Sequence, residues 1–264
     1  QGVQGPNRVI AMHMIFMVGT AGSGKSSLTA AFTRWLEMQR EDVMAVNLDP
    51  GAPNPPYSAN VDIRDYIKVE DVMEEYGLGP NGGLVAATDM IKDVVDQVSQ
   101  DIEDFTPDIC IVDTPGQMEL FAFRNIGAEV AEKLTDADKG LVYLFDAGYC
   151  RDPLNYVMNM FLASAINVRF QLPQFQVFSK VDLLKEKELE GMMSWAEDPD
   201  VLRTAMDARL TGMNKEMSQD MLEIIERMGV EFSPIAVSSK TQDGFHVLYS
   251  ELQRVFTGGE KFTT

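Results

Sequence analysis

Short runs of apolar residues alternate with longer amphipathic stretches along this chain of 264 residues. The apolar runs predict strands at 14–18, 43–48, 109–112, 141–145, 175–178 and 230–237. Strands that are buried on both faces of a sheet read as continuous apolar runs, and parallel sheets carry helices on both faces. The pattern therefore predicts an α/β fold with a mainly parallel sheet and helices on both faces.

Helical periodicity appears between these strands and after the last of them. Helices are predicted at 26–38, 84–105 and 243–256. The longest carries one continuous apolar stripe, formed by Leu84, Ala87, Ile91, Val94, Val95, Val98, Ile102 and Phe105. Intervals of three and four residues place these side chains on one face of a helix, so we expect that face to be buried.

A charged, methionine-rich segment at about 183–229 interrupts the alternation and contains no obvious strand. Two interpretations stay open. The segment forms solvated helices that cover the sheet, or it is a helical insertion that forms a lid or a groove for a partner, since methionine-rich faces adapt to different ligands. We predict a single domain at 14–256 with this insertion, a tail or cloning remnant at 1–13, and a C-terminal tail at 257–264.

The segment between the first predicted strand and helix reads Gly-Thr-Ala-Gly-Ser-Gly-Lys-Ser, the pattern of a phosphate-binding loop. Its glycines let backbone N–H groups turn inward around phosphate oxygens, and the following helix N-terminus adds its dipole. We expect Lys25 to reach the β- and γ-phosphates and Ser26 to coordinate Mg²⁺. The predicted nucleotide-binding residues are Gly19, Thr20, Ala21, Gly22, Ser23, Gly24, Lys25, Ser26 and Ser27. The predicted fold is therefore that of a P-loop NTPase.

A carboxylate, Asp113, follows the third predicted strand and begins the segment Asp-Thr-Pro-Gly-Gln. A carboxylate at a strand end that faces the phosphate loop suits a water-mediated contact to Mg²⁺. Gly116 lets the backbone approach a γ-phosphate, and Gln117 stands where an attacking water needs to be oriented. An Asp followed by Pro-Gly is by itself usually a turn, and only its pairing with the phosphate loop favours the functional interpretation.

A further pair of polar loops follows the last two predicted strands and indicates guanine rather than adenine. Lys180 and Asp182 match the Lys-x-Asp pattern in which a carboxylate pairs with two N–H donors of guanine, an edge that adenine lacks. Ser179 replaces the usual leading Asn, which is expected to weaken the tie to the phosphate loop. Ser239 and Lys240 stand where GTPases contact the guanine O6 atom.

The net charge of −19 limits the kinds of partner that the chain is expected to bind. Such a surface repels nucleic-acid phosphates and anionic membranes, so we expect neither as a general partner. No apolar run reaches the length of a membrane-spanning helix. The two cysteines, Cys110 and Cys150, are expected to be buried thiols, which suits a reducing cytoplasm. An acidic chain that binds a polyphosphate must concentrate positive charge locally and recruit a metal.

Three more segments carry a family resemblance. Gly-Pro-Asn stands at 79–81, between a short helix predicted to end near 76 and the long helix starting near 83. Asn-Leu-Asp-Pro-Gly-Ala ends the second strand at 47–52, and Asp-Thr-Pro-Gly-Gln-Met-Glu stands at 113–119. At these positions, together with the motifs above, they resemble the GPN-loop GTPases. The tripeptide alone is typical of a turn between helices.

The resemblance implies a homodimer that binds GTP or GDP with Mg²⁺, with two nucleotide sites facing the interface. Gly79, Pro80 and Asn81 would reach the partner's site near the γ-phosphate, where Asn81 would help hold the attacking water or the phosphate product. Asp49 would orient or deprotonate that water, or would hold Mg²⁺ through water. The implied catalytic residues are Lys25, Asp49, Asn81 and Gln117, and the implied metal residues are Ser26, Asp49 and Asp113.

No clear arginine finger is visible. Arg64 is a weak candidate whose ordinary role is a surface ion pair, and Thr20 stands where some relatives carry an extra lysine. The resemblance suggests a nucleotide-controlled switch in the cytoplasm with a protein client, as in the assembly of RNA polymerase, for which the segment at 183–229 is the candidate groove. Two other functions stay open: a small-molecule kinase that uses the same loop, and a GTP-bound scaffold with little turnover.

Overall fold

The computed structural model describes residues 12–228 and 232–259. One parallel sheet of seven strands runs through them in the order β3-β2-β4-β1-β5-β6-β7. The strands are β1 His13–Gly19, β2 Val43–Asn47, β3 Val61–Asp62, β4 Ile109–Asp113, β5 Asp138–Asp146, β6 Gln174–Ser179 and β7 Ile235–Ala236. The predicted α/β fold with a parallel sheet is confirmed.

Helices cover both faces of this sheet. They are α1 Lys25–Met38, α2 Val69–Tyr76, α3 Pro80–Phe105, α4 Asn125–Lys133, α5 Pro153–Phe170, α6 Glu186–Glu197, α7 Pro199–Arg209, α8 Met213–Arg227 and α9 Phe245–Phe256. Helices α1 and α9 bury their apolar side chains on one face, and α2 to α8 bury theirs in the core on the other face. Within residues 12–228 and 232–259, no helix is both long enough and apolar enough to cross a bilayer.

The central strand β1 shows why its sequence reads as an unbroken apolar run. Met14, Phe16 and Val18 enter the core under α2 to α8, while Ile15 and Met17 enter the core under α1 and α9. All five side chains are at most 1% exposed. Because successive side chains of a strand point to opposite faces, burial on both faces demands apolar residues at every position.

The sequence did not predict β3, α4 or α5, and it overextended the last strand. Helix α5 packs against the sheet, α7 and α8, so it is apolar on more than one side and lacks a clean stripe. Strand β3 pairs through only two residues. Of the strand predicted at 230–237, the structure shows Ile235–Ala236, and residues 229–231 lie outside the described residues.

The methionine-rich segment forms α6, α7 and α8, as the absence of a strand pattern predicts. Met192, Leu202, Met206, Leu222 and Ile225 are each at most 1% exposed, and they join the core that α5 shares with the sheet. Cys110 and Cys150 are buried free thiols, as expected. The predicted domain limits stay a prediction, and residues 1–11 and 260–264 of the predicted tails lie outside the described residues.

Gly244 precedes α9, and among the glycines that the structure describes it is the one where an added Cβ would come nearest to backbone atoms. Its φ is +77°, and an added Cβ would lie 1.9 Å from the Ala236 carbonyl oxygen. We expect Gly244→Ala to lower the free energy of unfolding by roughly 2 to 4 kcal/mol, because strain at positive φ adds to the clash with β7. Urea unfolding measures this.

The matched control is Gly191→Ala in α6, where an added Cβ meets no atom within 4 Å. We expect this change to raise the free energy of unfolding by about 0.5 to 1 kcal/mol, since alanine restricts the unfolded chain more than glycine does. Equal urea midpoints for the two variants would contradict the assigned role of Gly244.

Candidate functional site

The phosphate loop connects β1 to α1, and its backbone requires glycine. Gly24 has a φ of +99°, which L side chains rarely adopt. At Gly19 an added Cβ would lie 2.8 Å from the backbone carbonyl oxygen of Leu144 in the neighbouring β5. The loop is closed by the Ser23 N–H, which donates to the Thr20 carbonyl oxygen at 3.1 Å. The sheet therefore holds a tight loop directly before the N-terminus of α1.

Lys25 bridges this loop to the segment after β4. Its Nζ donates to the carbonyl oxygens of Gly19 at 2.9 Å, Thr20 at 3.2 Å and Gly116 at 3.2 Å. The side chain is buried, and burial lowers the pKa of Lys25, while the charges of Asp113 and Asp49 act in the opposite direction. One ammonium group is thus held between the two segments that the sequence assigned to phosphate binding.

Asp113 ends β4 and is fully buried. Its Oδ2 accepts a hydrogen bond from the Tyr57 hydroxyl at 2.9 Å, and the Ser26 hydroxyl also bonds to this carboxylate. Burial raises the pKa of Asp113 to about 6, although the bonds from Ser26 and Tyr57 and the charge of Lys25 favour the ionised form. Tyr57 lies in the loop between β2 and β3, and no sequence pattern marks it.

The oxygen atoms around Asp113 fit a magnesium ion. The Asp113 Oδ1 atom is buried and, within residues 12–228 and 232–259, has no hydrogen-bond partner. No group of three or more His, Cys, Asp or Glu side chains among these residues forms a metal site of its own. Mg²⁺ prefers hard oxygen ligands and is usually bound by one or two protein groups together with phosphate and water. Ser26 and Asp113 fit that pattern.

Asp49 lies beside this pair, in the loop after β2. Its Oδ1 accepts from the Gly51 N–H at 2.9 Å, and its Oδ2 accepts from the Gly116 N–H at 2.9 Å. Asn47 orients the loop, because its Oδ1 accepts from the Asp49 N–H at 3.0 Å. The Asp49 carboxylate therefore accepts a hydrogen bond from the Gly116 N–H, the group that the sequence predicts to lie near the γ-phosphate.

The Gly-Pro-Asn motif does not form a loop ahead of the long helix, so the prediction that this helix starts near 83 is wrong. Gly79 is the N-cap of α3, and Pro80 and Asn81 begin its first turn, because proline is well suited to the first helical position. All three residues are exposed. Leu84, one turn further on, packs closely on Gly51. A Cβ added at Gly51 would lie 2.6 Å from the Leu84 Cδ1 atom. The motif thus stands next to the loop of Asp49.

Gln117 and Arg64 lie near the site and differ in their hydrogen bonds. The Gln117 side chain is exposed and has no hydrogen-bond partner among the residues that the structure describes. Arg64 pairs with Asp62 through two bonds, at 2.9 and 2.6 Å, and donates to the carbonyl oxygens of Ala52 and Pro53. Arg64 therefore clamps the loop that carries Asp49, in agreement with the ion-pair interpretation rather than that of an arginine finger.

The Lys-x-Asp loop is hydrogen-bonded to the phosphate loop, so the replacement of the usual Asn by Ser179 does not remove this connection. The Ser179 hydroxyl donates to the Ser23 carbonyl oxygen at 2.6 Å. Lys180 donates to the Gly22 carbonyl oxygen and pairs with Asp146 at 2.7 Å. A short serine suffices because β6 ends next to the loop. Asp146, which the sequence analysis missed, had the same signal as Asp113, a carboxylate at a strand end.

Asp182 is tied in turn to the loop after β7. Its Oδ1 accepts from the Ser238 hydroxyl at 2.7 Å, and the Ser238 Oγ accepts from the Lys240 N–H at 3.2 Å. Ser239 is half-buried between them, and the Lys240 side chain is exposed. The structure thus brings together the phosphate loop, the Lys-x-Asp loop and the last loop at the carboxyl edge of the sheet.

Comparison with known proteins gives a consistent result. Residues 17–258 match the model of a family described as a conserved hypothetical ATP binding protein. The chain is 35% identical over 240 residues to a GPN-loop GTPase of Pyrococcus abyssi, covering 89% of this chain and 94% of that protein. It is 32% identical over 248 residues to GPN-loop GTPase 1 of Saccharomyces cerevisiae, covering 89% of this chain and 64% of the yeast protein.

A solved structure agrees with these relatives. The crystal structure of the apo form of a GTPase from Pyrococcus abyssi superposes with a TM-score of 0.81 at 32% identity, over 94% of this chain and 98% of that one. The family description names ATP, whereas the similar proteins are named as GTPases, which agrees with the Lys-x-Asp loop. On the match across 17–258 and on these relatives, the chain belongs to the GPN-loop GTPase family and is a GTP hydrolase.

Proposed function

We propose that this GTPase is a Mg²⁺-dependent homodimer in which loss of the γ-phosphate resets a contact between Asp49 and Gly116. The observation that carries the proposal is the double hydrogen bond of the Asp49 carboxylate to Gly51 and Gly116, at 2.9 Å each. The bond to Gly116 links the loop after β2 to the segment after β4. A γ-phosphate that takes the Gly116 N–H would release this link.

The nucleotide would be held by residues that already contact one another. Lys25 would exchange its bonds to loop carbonyl oxygens for the β- and γ-phosphates, and the inward N–H groups of the loop would bind the remaining oxygens. The Lys180 stem would cover the guanine plane, and Asp182 would accept from its two N–H donors. Ser238 orients Asp182 for that role by donating to its Oδ1 at 2.7 Å.

Ser26 and Asp113 would hold the magnesium ion, which neutralises charge on the β- and γ-phosphates when bound. The free Oδ1 atom of Asp113 supports this assignment. The Tyr57 hydroxyl bonds to the other oxygen of Asp113 and thereby fixes how the carboxylate is turned. Asp49 is the other candidate for the metal, through water, and its release from Gly116 would leave its Oδ2 atom available either for that water or for the attacking one.

For hydrolysis, the residues must place a water in line with the γ-phosphate. Once released from Gly116, the Asp49 carboxylate would lie beside the γ-phosphate, where it would orient that water and accept its proton. Gln117 is exposed next to Gly116 and would assist. The partner subunit's Asn81 would complete the site; Asn81 is exposed at the start of α3, and its side chain has no hydrogen-bond partner among the residues that the structure describes.

The nucleotide state would reach a protein client through the helices that follow the Lys-x-Asp loop. Helix α8 exposes Met213, Met217, Ile224 and the adjacent Met228, at 74%, 55%, 47% and 42%. Exposed apolar side chains grouped on one helix are typical of a binding surface. By resemblance, the process would be protein-complex assembly, such as that of RNA polymerase, and the location the cytoplasm.

The proposal is tested by GTP and ATP hydrolysis with Mg²⁺ over a series of protein concentrations. We expect GTP to be preferred and specific activity to rise as the dimer forms. Asp49→Ala and Asn81→Ala should each lower kcat by about 100-fold or more, with GDP binding nearly unchanged. The matched control is Asn214→Ala, which removes an exposed Asn from the first turn of α8 and should leave kcat unchanged.

Mixing the two inactive variants tests whether Asn81 acts across the dimer. A mixed dimer has one site with both Asp49 and the partner subunit's Asn81 intact, so an equal mixture should recover about a quarter of wild-type activity. No recovery would place Asn81 in its own chain's site and would overturn the dimeric mechanism. Preference for ATP would overturn the guanine assignment.

A further inference from the structure

A cavity of about 610 Å³ lies between α6, the end of α7 and the loop that follows β5. Tyr149, Arg151, Lys187, Trp195 and Arg209 are among the residues that line it. None of its lining residues belongs to the phosphate loop, the Asp49 loop or the segment at 113–117. We propose that this cavity binds a short acidic peptide segment that also carries an apolar side chain.

The charges that line the cavity favour an anionic ligand. Among the residues that the structure describes, Lys187 and Arg209 have no carboxylate within ion-pair distance. Arg151 is only loosely paired, at 3.5 Å from Glu188. The Asp152 carboxylate on the rim is engaged as the N-cap of α5, where it accepts from the Leu154 N–H at 2.9 Å. Three cations and two carboxylates, those of Asp152 and Glu188, thus line the cavity, which is a local excess of one positive charge in a chain of net charge −19.

The cavity also offers an apolar platform. Tyr149 is 51% exposed, and Met192 and the half-buried Trp195 form part of the wall. The Trp195 ring packs on the buried Tyr156, with ring centroids 6.0 Å apart, so its position is set by the core. An aromatic side chain fixed by the core, combined with charged groups, is a usual composition of a peptide-binding site.

The backbone around the cavity holds the cations in place before a ligand arrives. Arg209 donates through Nη1 to the Arg151 carbonyl oxygen at 3.2 Å, and the Arg151 Nε donates to the Gly148 carbonyl oxygen at 3.1 Å. These bonds leave other guanidinium N–H groups of both residues for an acidic ligand. Preorganised donors lower the entropy that binding must overcome.

The overall charge of the chain decides what kind of anion fits. A long polyanion such as a nucleic acid would be repelled by the acidic surface around the cavity, because its phosphates extend well beyond it. A peptide segment with two or three carboxylates engages only the local cations. It also supplies the apolar side chain that the wall of Trp195 and Tyr149 requires.

The test uses the full chain and a fluorescein-labelled peptide, Gly-Ser-Glu-Glu-Leu-Glu-Gly-Ser, with fluorescence anisotropy at low salt. We expect saturable binding that weakens as salt is added, and at least about tenfold weaker binding of the same peptide with glutamine in place of glutamate. The double variant Lys187→Gln and Arg209→Gln should weaken binding at least about tenfold. Both residues are exposed, and neither makes a hydrogen bond or ion pair to the nucleotide-site residues that the structure describes, so GTP hydrolysis reports that the variant is folded.

The control variant is Lys215→Gln with Arg254→Gln, which removes one half-buried and one exposed cation outside the cavity and should leave the affinity unchanged. Trp35→Phe leaves Trp195 as the sole tryptophan, and its emission should change on peptide binding. Absence of saturable binding would overturn the proposal. Equal binding by the cavity variant and the control variant, or equal binding of the glutamine peptide, would also overturn it. These outcomes are independent of the GTPase assay.

Discussion

Asp113→Asn is expected to stabilise the nucleotide-free protein at pH 8, by on the order of 3 kcal/mol of unfolding free energy. Burial raises the pKa of Asp113 from 3.8 to about 6, so the folded chain at pH 8 contains a carboxylate whose ionisation is disfavoured. An asparagine of the same shape removes that charge. The Tyr57 and Ser26 hydroxyls can turn to accept from its amide, so the substitution leaves few unpaired groups.

The pH dependence has a definite sign. A carboxyl group whose pKa is higher in the folded than in the unfolded chain binds more protons when folded, so its contribution to stability falls as pH rises. For Asp113 the loss begins near pH 4 and is complete above about pH 6. The advantage of Asp113→Asn should therefore be absent near pH 4 and full at pH 8, which urea unfolding at a series of pH values measures.

The control is Asp220→Asn, at an exposed position on α8, which should change stability by less than about 0.5 kcal/mol at each pH. Adding Mg²⁺ and GDP should stabilise the wild type more than Asp113→Asn, because the variant loses the carboxylate that would hold the ion. An Asp113→Asn protein that is less stable than the wild type at pH 8 would show that the carboxylate is not strained in the folded chain.

Asp182→Asn is expected to lower the preference for GDP over ADP by about 10²- to 10⁴-fold. In the proposed site the Asp182 carboxylate accepts from two N–H donors of guanine, and the loop places it for this through the Ser238 hydroxyl at 2.7 Å. An asparagine presents an N–H group to one of those donors, so a favourable pair becomes a repulsive one. Equilibrium titrations with fluorescent GDP and ADP measure the two affinities.

Binding of xanthosine diphosphate by Asp182→Asn distinguishes a change of base specificity from a loss of folding. Xanthine carries a carbonyl oxygen where guanine has its amino group, so Asp182→Asn should bind it more tightly than the wild type does. A variant that binds all three nucleotides weakly is damaged rather than altered in specificity. Unchanged affinity for GDP would show that Asp182 does not contact the base.

The sequence by itself determined the elements whose signals are local. β1 and β4 are predicted from unbroken apolar runs because both their faces are buried. The phosphate loop is predicted because its function depends on glycine conformations and on a lysine at a fixed spacing. The order of strands and polar loops then places Asp113 and Asp182 at the same edge of a parallel sheet.

Other features depend on which segments the fold brings together, and the tertiary structure alone decided them. The bond between Asp49 and Gly116 joins residues 67 positions apart, and the bond between Tyr57 and Asp113 joins residues 56 apart. Helix α5 lacks a stripe because it is covered on more than one side, and Ser179 reaches the phosphate loop because β6 ends beside it. Local patterns encode which face of an element is buried, whereas a hydrogen bond between distant segments depends on the neighbours that folding supplies.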